Sequence, residues 1–442
     1  MKNAIYVILA IFVALPAWAQ VEPSMTGGNG TPDDESRMLI PTPVSVAGYP
    51  TEVGAQERAN YLSLGALFTA AYDDNIVPGF SPVAVSDYSY LIAPTLSVQQ
   101  RTPRMSRSLT YSPGFRFYQR VSSLNAIDQN ADADFQYRLS PRATFDAHDT
   151  FQQNSNTFNQ PYAVAGGVSG STLAPGGYVI APYADQLMNT ARAVFTYQFA
   201  LNSMVGGGGT TSLLNYPSLS QVPGLANFRS EGGEGFYSRR VSRWQYVGGL
   251  YQYTHIATNP IESTTQTHSA YLFYYLNWNR KLTISLAGGP QYYQVEQTAV
   301  PKTNAWSPGG SGSIGWHTTR SNFAASYSRS VGAYGGLVGA FTSNSADAQA
   351  SREIAANWTV GMRGDYAITK NASQQPVVVF PGGHSITGTG YLQHKFGESL
   401  SAEAGYSRLH QSYSGVSLVS TAPDSNRGYV TIIYQFTRPL GR

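Results

Sequence analysis

The sequence ADADFQYRLSPRATFDAHDTF, residues 131 to 151, has two halves that each alternate between apolar and polar side chains. The apolar face of the first half carries Ala131, Ala133, Phe135, Tyr137 and Leu139, and its polar face carries Asp132, Asp134, Gln136 and Arg138. After Ser140-Pro141, the second half sets Ala143, Phe145 and Ala147 against Arg142, Thr144, Asp146 and His148. A period of two residues places alternate side chains on opposite faces of a β-strand. The stretch therefore predicts a β-hairpin with one apolar and one polar face.

The same rhythm repeats from Tyr61 onward, and short breaks alternate with long ones. Short breaks fall near residues 102–104, 140–141, 201–202, 242–243, 279–280, 319–320, 357–358 and 397–398. Long stretches rich in Gly, Pro, Ser and Asn fall around 73–86, 121–129, 153–187, 214–230, 257–264, 297–309, 333–344, 370–384 and 411–425. Transmembrane barrels have short turns at one rim and long loops at the other, whereas a soluble β-sandwich has no reason to alternate them. We predict an all-β fold, a transmembrane antiparallel up-and-down β-barrel of about 18 strands, with both termini at the rim of short turns.

Composition also favours a barrel over a soluble domain. Charged residues make up 12% of the 442 residues and hydrophobic residues 42%, whereas about 25% of an average soluble domain is charged. After the N-terminal segment there is no run of about 18 apolar residues, which excludes helical membrane spans. In a barrel only every second strand residue meets lipid, so the sequence needs no such run.

The N-terminal segment predicts export from the cytoplasm. Lys2 precedes an apolar stretch, and Ala17-Trp18-Ala19 has the small residues of a cleavage site. We predict a signal peptide over residues 1–19, a disordered periplasmic tether over 20–59, a barrel over 60–437 and a short periplasmic tail over 438–442. The chain has no Cys, which excludes disulfides and thiolate metal sites.

The predicted last strand closes on aromatic residues. Its two faces carry Val430, Ile432, Tyr434 and Phe436, and Tyr429, Thr431, Ile433 and Gln435. In this pattern residues 60 to 437 resemble the Gram-negative outer-membrane porin-like barrels, although Thr437 to Arg442 follow the terminal Phe. The resemblance implies an outer-membrane location with periplasmic termini, contact with lipid and lipopolysaccharide, recognition by the barrel assembly machinery, and possible trimers. It also makes the third long loop, about 153 to 185, either a constriction inside the lumen or an exposed surface loop.

Charged residues on the polar phase of the strands are the candidate pore lining. They are Arg116, Asp132, Asp134, Arg138, Arg142, Asp146, Arg192, Arg363, Asp365 and Glu403. If Arg116, Arg138, Arg142 and Arg192 form one basic wall, the pore prefers anions, because rings of charge set pore selectivity. The alternative is that these arginines pair with Asp132, Asp134 and Asp146.

The strand phase can be assigned for most of the chain. We expect the outer face to carry Leu62, Leu64, Ala66, Phe68, Tyr72, Leu109, Tyr111, Phe115, Phe117, Val360, Met362, Tyr366 and Ile368, with Trp278, Trp316 and Tyr406 in aromatic girdles. Arg352 falls on the apolar phase and predicts a bulge, a register error or a protein contact. Between Gly232 and His255 both faces are aromatic or Gly-rich, and the phase stays open.

Other chemistries find little support in the sequence. The His residues are scattered, and only Asp146 and His148 share a face, so we expect no enzyme, no cofactor and no metal site. Gly310 to Gly315 matches GxGxxG by letters but opens an alternating strand, and is therefore not a nucleotide site. Gly206 to Gly209 indicates a strand pressed closely by another segment. The formal net charge of +3 gives no reason to expect a nucleic-acid partner.

The sequence favours passive diffusion of small hydrophilic solutes through an outer-membrane pore, which prefers anions if the basic wall forms. The alternative is an outer-membrane barrel of a polysaccharide or polymer export or assembly system, in which residues 20–59 bind a periplasmic partner. Deletion of residues 20–59 separates the two hypotheses, because a pore keeps its conductance whereas an export component loses its partner.

Overall fold

The structure is a computed structural model in which eighteen strands form one closed barrel. It describes residues 38, 49–50, 60–77, 83–154, 167–168, 185–219, 224–260, 262–278, 281–297, 300–332, 337–372, 382–414 and 424–440. Among these residues, the sole helix is a 3-10 turn at Ser122–Leu124, and no helix is long and apolar enough to cross a membrane.

The strands follow one another round the barrel in chain order. They are β1 Tyr49–Pro50, β2 Asn60–Asp73, β3 Asp87–Arg101, β4 Met105–Tyr118, β5 Ala126–Ser140, β6 Ala143–Asn154, β7 Gly167–Val168, β8 Gln186–Ala200, β9 Ser203–Asn215, β10 Asn227–Ser242, β11 Gln245–Asn259, β12 Ser263–Trp278, β13 Leu282–Gln297, β14 Val300–His317, β15 Ser321–Gly332, β16 Phe341–Ala355, β17 Trp358–Asn371, β18 Gly382–Lys395, β19 Leu400–Ser414 and β20 Asp424–Pro439. The short strands β1 and β7 pair with each other, and the remaining 18 form an antiparallel barrel closed by β20 on β2. The predicted fold and strand number are confirmed. The last strand reaches Pro439, two residues past the predicted end at 437.

The two rims of the barrel differ in the length of their connections. The rim with the connections 102–104, 141–142, 201–202, 243–244, 279–281, 318–320, 356–357 and 396–399 is called the turn end. The opposite rim, the loop end, carries 74–86, 119–125, 155–185, 216–226, 260–262, 298–299, 333–340, 372–381 and 415–423. The barrel begins at Asn60 and ends at Pro439, both at the turn end.

The predicted long loops at 257–264 and 297–309 are wrong. Their connections are as short as those of the turn end, at 260–262 and 298–299. Pro301 and Gly309 made the second stretch look like a loop, yet it belongs to β14, which pairs with β13 from Val300 to Trp316. The β13–β14 hairpin extends beyond β15, which pairs with β14 only from Gly310 onward. Proline is tolerated there because, among the described residues, that part of β14 has no partner strand on its other edge.

The outer face carries the apolar phase that the sequence predicted. Leu64, Phe68, Tyr72, Tyr111, Phe115, Phe117, Val360, Met362 and Tyr366 are all exposed there. The hairpin of β5 and β6 has the expected register, with Ala131 opposite Phe151 and Tyr137 opposite Phe145. Arg352 does lie on the outer face, close to the end of β16, and the register shifts between Glu353 and Ala355. Of the three alternatives for Arg352, the structure shows an irregularity of register directly after it.

The region that resisted assignment, Gly232 to His255, has an apolar inner face. Phe236 and Leu250 are buried inside, whereas Tyr237 and Tyr251 are exposed outside, so the alternation of polarity is lost although the strands are regular. A Cβ on Gly206 would lie 2.3 Å from the ring of Phe236. This ring covers the inner face of β9, which confirms that the glycine run is a strand pressed closely by a neighbour.

Candidate functional site

The lumen is the candidate functional site, and much of its wall is made of hydroxyl groups. On the inner face, neighbouring strands place Thr and Ser side chains opposite one another. The hydrogen bonds run between Thr69 and Thr431 (2.9 Å), Thr95 and Ser112 (3.1 Å), Ser97 and Thr110 (3.0 Å), Ser328 and Ser345 (2.7 Å), and Thr389 and Ser407 (2.9 Å). Such a wall offers donors and acceptors to water and to polar solutes.

Near the loop end, inner-face charges neutralise one another in buried ion pairs. Arg116, with 1% of its side chain exposed, pairs with Asp128. Arg427 Nε lies 3.7 Å from Asp73 Oδ1, and Ser89 donates a hydrogen bond of 3.4 Å to Asp73. Because a buried charge needs a partner, these groups hold β2, β4, β5 and β20 together and are not available to passing ions.

A third buried ion pair crosses the inner face of β9. Arg192 on β8 donates from Nε to Glu234 Oε1 on β10 over 3.0 Å, and Gln252 on β11 donates to the other carboxylate oxygen over 3.3 Å. Between them stands Gly208, where a Cβ would come within 2.3 Å of the backbone oxygen of Ala193. The pair is buried, with 2% of the Arg192 and 8% of the Glu234 side chain exposed.

Accessible carboxylates lie at mid-height on β5. The side chains of Asp132 and Asp134 are 46% and 52% exposed. His148 on β6 lies 2.7 Å from Asp134 through Nδ1 and 2.9 Å from the Thr150 hydroxyl through Nε2. The ligand atoms of Asp132, Asp134 and His148 lie within 4.8 Å of one another, which is compatible with a cation by donor type alone.

The order Thr150, His148, Asp134 is that of a hydroxyl, an imidazole and a carboxylate, as in a hydrolase triad. Two features argue against catalysis. The Thr150 hydroxyl also donates to Asp132 Oδ2 over 3.1 Å, which gives its proton another acceptor. Moreover, the three residues lie on paired strands, where backbone N–H groups are engaged in the sheet and cannot form an oxyanion hole.

A second set of inner-face charges lies on β16, β17 and β19. Arg363 donates to Asp365 over 3.2 Å, and Asp365 also accepts from Thr387 over 2.9 Å. Ser326 donates to Asp347, and Tyr429 donates to Glu403 over 2.9 Å. In this set the carboxylates outnumber the single guanidinium.

The ten predicted pore-lining residues are thus separated by the fold. Nine lie on the inner phase of the strands, but Arg142 is in the exposed turn 141–142 between β5 and β6. Arg116 lies opposite Ala126, and roughly 40 Å of strand separates that position from Arg138. The predicted single basic wall is therefore wrong, because two of its arginines are buried in ion pairs and the others lie at or near the turn end. Asp146, also buried, accepts a hydrogen bond of 2.6 Å from Gln136.

An apolar patch on the inner face near the turn end was missed by the sequence analysis. It consists of Val194, Met204, Phe236, Tyr246, Leu250 and Phe273, and Met38 packs against it. Met38 is 4% exposed, and its N–H donates to Gln198 Oε1 over 3.1 Å. The loss of alternation between Gly232 and His255 was the signal for this patch. The remainder of the predicted tether lies outside the described residues, apart from β1, which pairs with β7.

A cluster of buried apolar residues joins opposite walls at the loop end. It contains Leu214, Tyr216, Leu225, Phe228, Ile256, Leu337, Phe341 and Tyr413, and β10 stands opposite β19 in the ring. Leu337, in the connection 333–340, is fully buried in it, and burial raises the pKa of Tyr216. Gln291 holds the end of β15 inward through two hydrogen bonds to Val331, of 2.9 and 3.1 Å. The cluster that contains Leu337 therefore narrows the lumen at the loop end. The third loop, 155–185, lies outside the described residues except for Asp185 and β7.

No family model and no curated protein matches the chain. Among similar solved structures, OccK2 (OpdF) of Pseudomonas aeruginosa is 8% identical with a TM-score of 0.44, over 86% of this chain and 98% of that one. OpdK, an outer-membrane protein of the same organism solved with vanillate, is 9% identical with a TM-score of 0.40, over 85% and 99%. The FrpB iron transporter of Neisseria meningitidis is 10% identical with a TM-score of 0.40, over 80% and 62%. The strand pairing itself establishes that this chain is a closed antiparallel barrel of 18 strands.

Proposed function

We propose that the protein is an outer-membrane channel for passive diffusion of small hydrophilic solutes. The observation that carries this proposal is a closed barrel of 18 strands with an apolar outer face and an inner face of hydroxyls and charges. Barrels of about 16 to 18 strands leave an aqueous channel. Exposed outward Phe, Leu and Tyr side chains are stable only where lipid, or another apolar surface, replaces water.

The proposal includes the orientation of the barrel. Short turns lie on the periplasmic side of outer-membrane barrels and long loops outside, so the turn end and both ends of the barrel chain would be periplasmic. A protease added to intact cells is then expected to cleave tags inserted at the loop end and to leave tags at the turn end intact.

The sequence predicted a pore that prefers anions, whereas the placement of the charges supports a preference for cations. The inner arginines at positions 116, 192 and 427 are buried with carboxylates. At mid-height on the strands the inner face instead carries Asp132, Asp134, Asp347 and Asp365, which outnumber Arg363 and His148. Because carboxylate rings favour cations, we propose a cation-preferring pore.

The alternative of a polymer export component required residues 20–59 to be free for a periplasmic partner. Two described parts of that segment contact the chain itself instead: Met38 on the inner patch and Tyr49–Pro50 with β7. The tether and the periplasmic partner stay predictions that these contacts do not favour. Enzymatic activity is not proposed, since the Thr150 hydroxyl is shared with Asp132.

Single-channel recording in a planar bilayer tests the proposal. We expect stepwise conductance in potassium chloride from purified, refolded protein, and uptake of small polar solutes into liposomes that contain it. A properly folded barrel that inserts and remains silent, with no solute uptake, would contradict the channel function.

A further inference from the structure

The turn end carries a ring of basic side chains that the channel function does not use. We call it the basic collar: Arg104, Arg142, Arg239, Arg243, Lys281, Arg320, Arg352 and Arg438. Five of them lie in the turns at 102–104, 141–142, 243–244, 279–281 and 318–320, and three lie on the outer face at the ends of β10, β16 and β20. All eight are exposed.

The collar differs from the loop end in how its charges are partnered. Toward the loop end, three exposed basic side chains have carboxylate partners: Arg229 pairs with Glu231, Lys302 Nζ lies 3.7 Å from Glu296, and Arg408 lies 3.9 Å from Asp424. Within the part of the chain that the structure describes, none of the eight collar side chains has a carboxylate within the 4.0 Å of an ion pair. So many unpaired like charges on one rim repel one another unless an anion lies between them.

The position of the collar indicates which anion. Trp278, Trp316, Trp358 and Phe436 are exposed on the outer face at the same end, where aromatic side chains mark the level of lipid headgroups. Arg243 lies over the ring of Trp244 at 4.7 Å. Arginine and lysine beside such a belt reach outward from the apolar surface to the headgroup layer. A position at the level of the headgroups also explains why Arg352, on the otherwise apolar outer face of β16, carries a charge.

We propose that the basic collar binds the phosphate groups of anionic phospholipids in the leaflet at the turn end. The barrel thereby recruits a shell of anionic lipid and is held at a fixed depth in the bilayer. Attraction between an anionic membrane and one basic residue near its surface corresponds to roughly a fivefold gain in affinity. The collar distributes such residues around much of the rim, so the shell does not depend on one pocket.

Lipid selectivity of the reconstituted barrel tests this inference, which rests on the proposed membrane location. Spin-labelled phosphatidylglycerol and spin-labelled phosphatidylcholine are compared in phosphatidylcholine liposomes, and the motionally restricted fraction gives their relative association with the protein. We expect phosphatidylglycerol to be preferred severalfold by the unchanged protein. The triple variant Arg142→Gln, Arg320→Gln, Arg352→Gln is expected to bring the ratio close to one.

The matched control removes the same charge from the loop end, with Arg229→Gln, Lys302→Gln and Arg408→Gln, and should keep the preference. If the collar variant does not fold, the unchanged protein still tests the inference. In 0.5 M sodium chloride its preference for phosphatidylglycerol should disappear, because the Debye length falls well below 10 Å. Equal association of both lipids with the unchanged protein, or an equal loss in both variants, would overturn the inference. A barrel that does not insert at all would contradict the membrane location instead.

Discussion

Removing the charge of Glu234 should destabilise the barrel more than any comparable change on its surface. Glu234→Gln leaves the Arg192 guanidinium, 2% exposed, without its anion. Breaking a buried pair by removing one partner costs about 3–5 kcal/mol, whereas an exposed pair contributes about 0–1 kcal/mol. Because both side chains are buried, we expect the larger cost. Gln252 lies close enough to keep one polar contact with the substituted side chain.

The assay is urea unfolding of the refolded barrel in detergent, followed by tryptophan fluorescence. The matched control is Glu231→Gln on the outer face of the same strand, where 55% of the side chain is exposed, and its expected change is below about 1 kcal/mol. The double variant Arg192→Met, Glu234→Leu should recover most of the loss, because no charge then stays buried. If Glu234→Gln costs no more than Glu231→Gln, Arg192 is hydrated and the argument from burial is refuted.

Four further outcomes are expected. The double variant Asp132→Asn, Asp134→Asn should lower the cation preference, which reversal potentials in a salt gradient measure. The expected loss is about twofold per charge for an ion that passes within roughly 10 Å in water. An unchanged protein that prefers anions would refute this prediction. Leu337→Ser should enlarge single-channel conductance, since it removes a fully buried side chain from the loop-end cluster, and unchanged conductance would show that the cluster does not limit flow. Met38→Asp places a charge on the apolar inner patch, so limited proteolysis before residue 60 should become faster than in the unchanged protein. Gly208→Val should reduce the yield of folded barrel on heat-modifiability gels, because its Cβ would lie 2.3 Å from a backbone oxygen; a normal yield would contradict the close approach.

The regular strands could be predicted because their information is local. The hairpin from Ala131 to Phe151 alternates in sequence as it does in the barrel, and the outer phase of β2, β4 and β17 followed directly from the same rule. In a membrane barrel, lipid on one side and water on the other favour opposite polarity in successive residues. The sequence of each strand therefore indicates which of its faces points outward.

Prediction failed where the inner face is not polar or where a hairpin extends beyond the neighbouring strand. Phe236 and Leu250 face inward over glycines, which removed the contrast between the two faces of β10 and β11. The upper part of β14 is rich in Pro, Gly and Ser, and composition alone could not show that pairing with β13 continues through it. The tendency of a sequence to form a β-strand depends on its context, and here pairing with β13 makes this stretch of β14 a strand.

For the candidate site, the sequence identified most inward-facing charges but not their partners. Arg116 and Arg192 could be placed on the inner phase from their strands, yet their neutralisation depends on Asp128 and Glu234, which closure of the barrel brings beside them. Arg142 was misplaced because a turn of two residues is indistinguishable by polarity from the strand next to it.

The sequence by itself therefore determined the class of the fold, the number of strands and which face of most strands is apolar, because these depend on a solvent boundary that acts on every residue separately. Only the tertiary structure decided which inner charges are buried in ion pairs, that Leu337 joins a buried cluster at the loop end, and that Met38 packs against the inner face. These features arise from contacts between strands far apart in the chain, and no local pattern encodes them. The basic collar depends on both: its residues are visible in the sequence, but only the closed barrel shows that they share one rim and that no carboxylate of the described residues pairs with them.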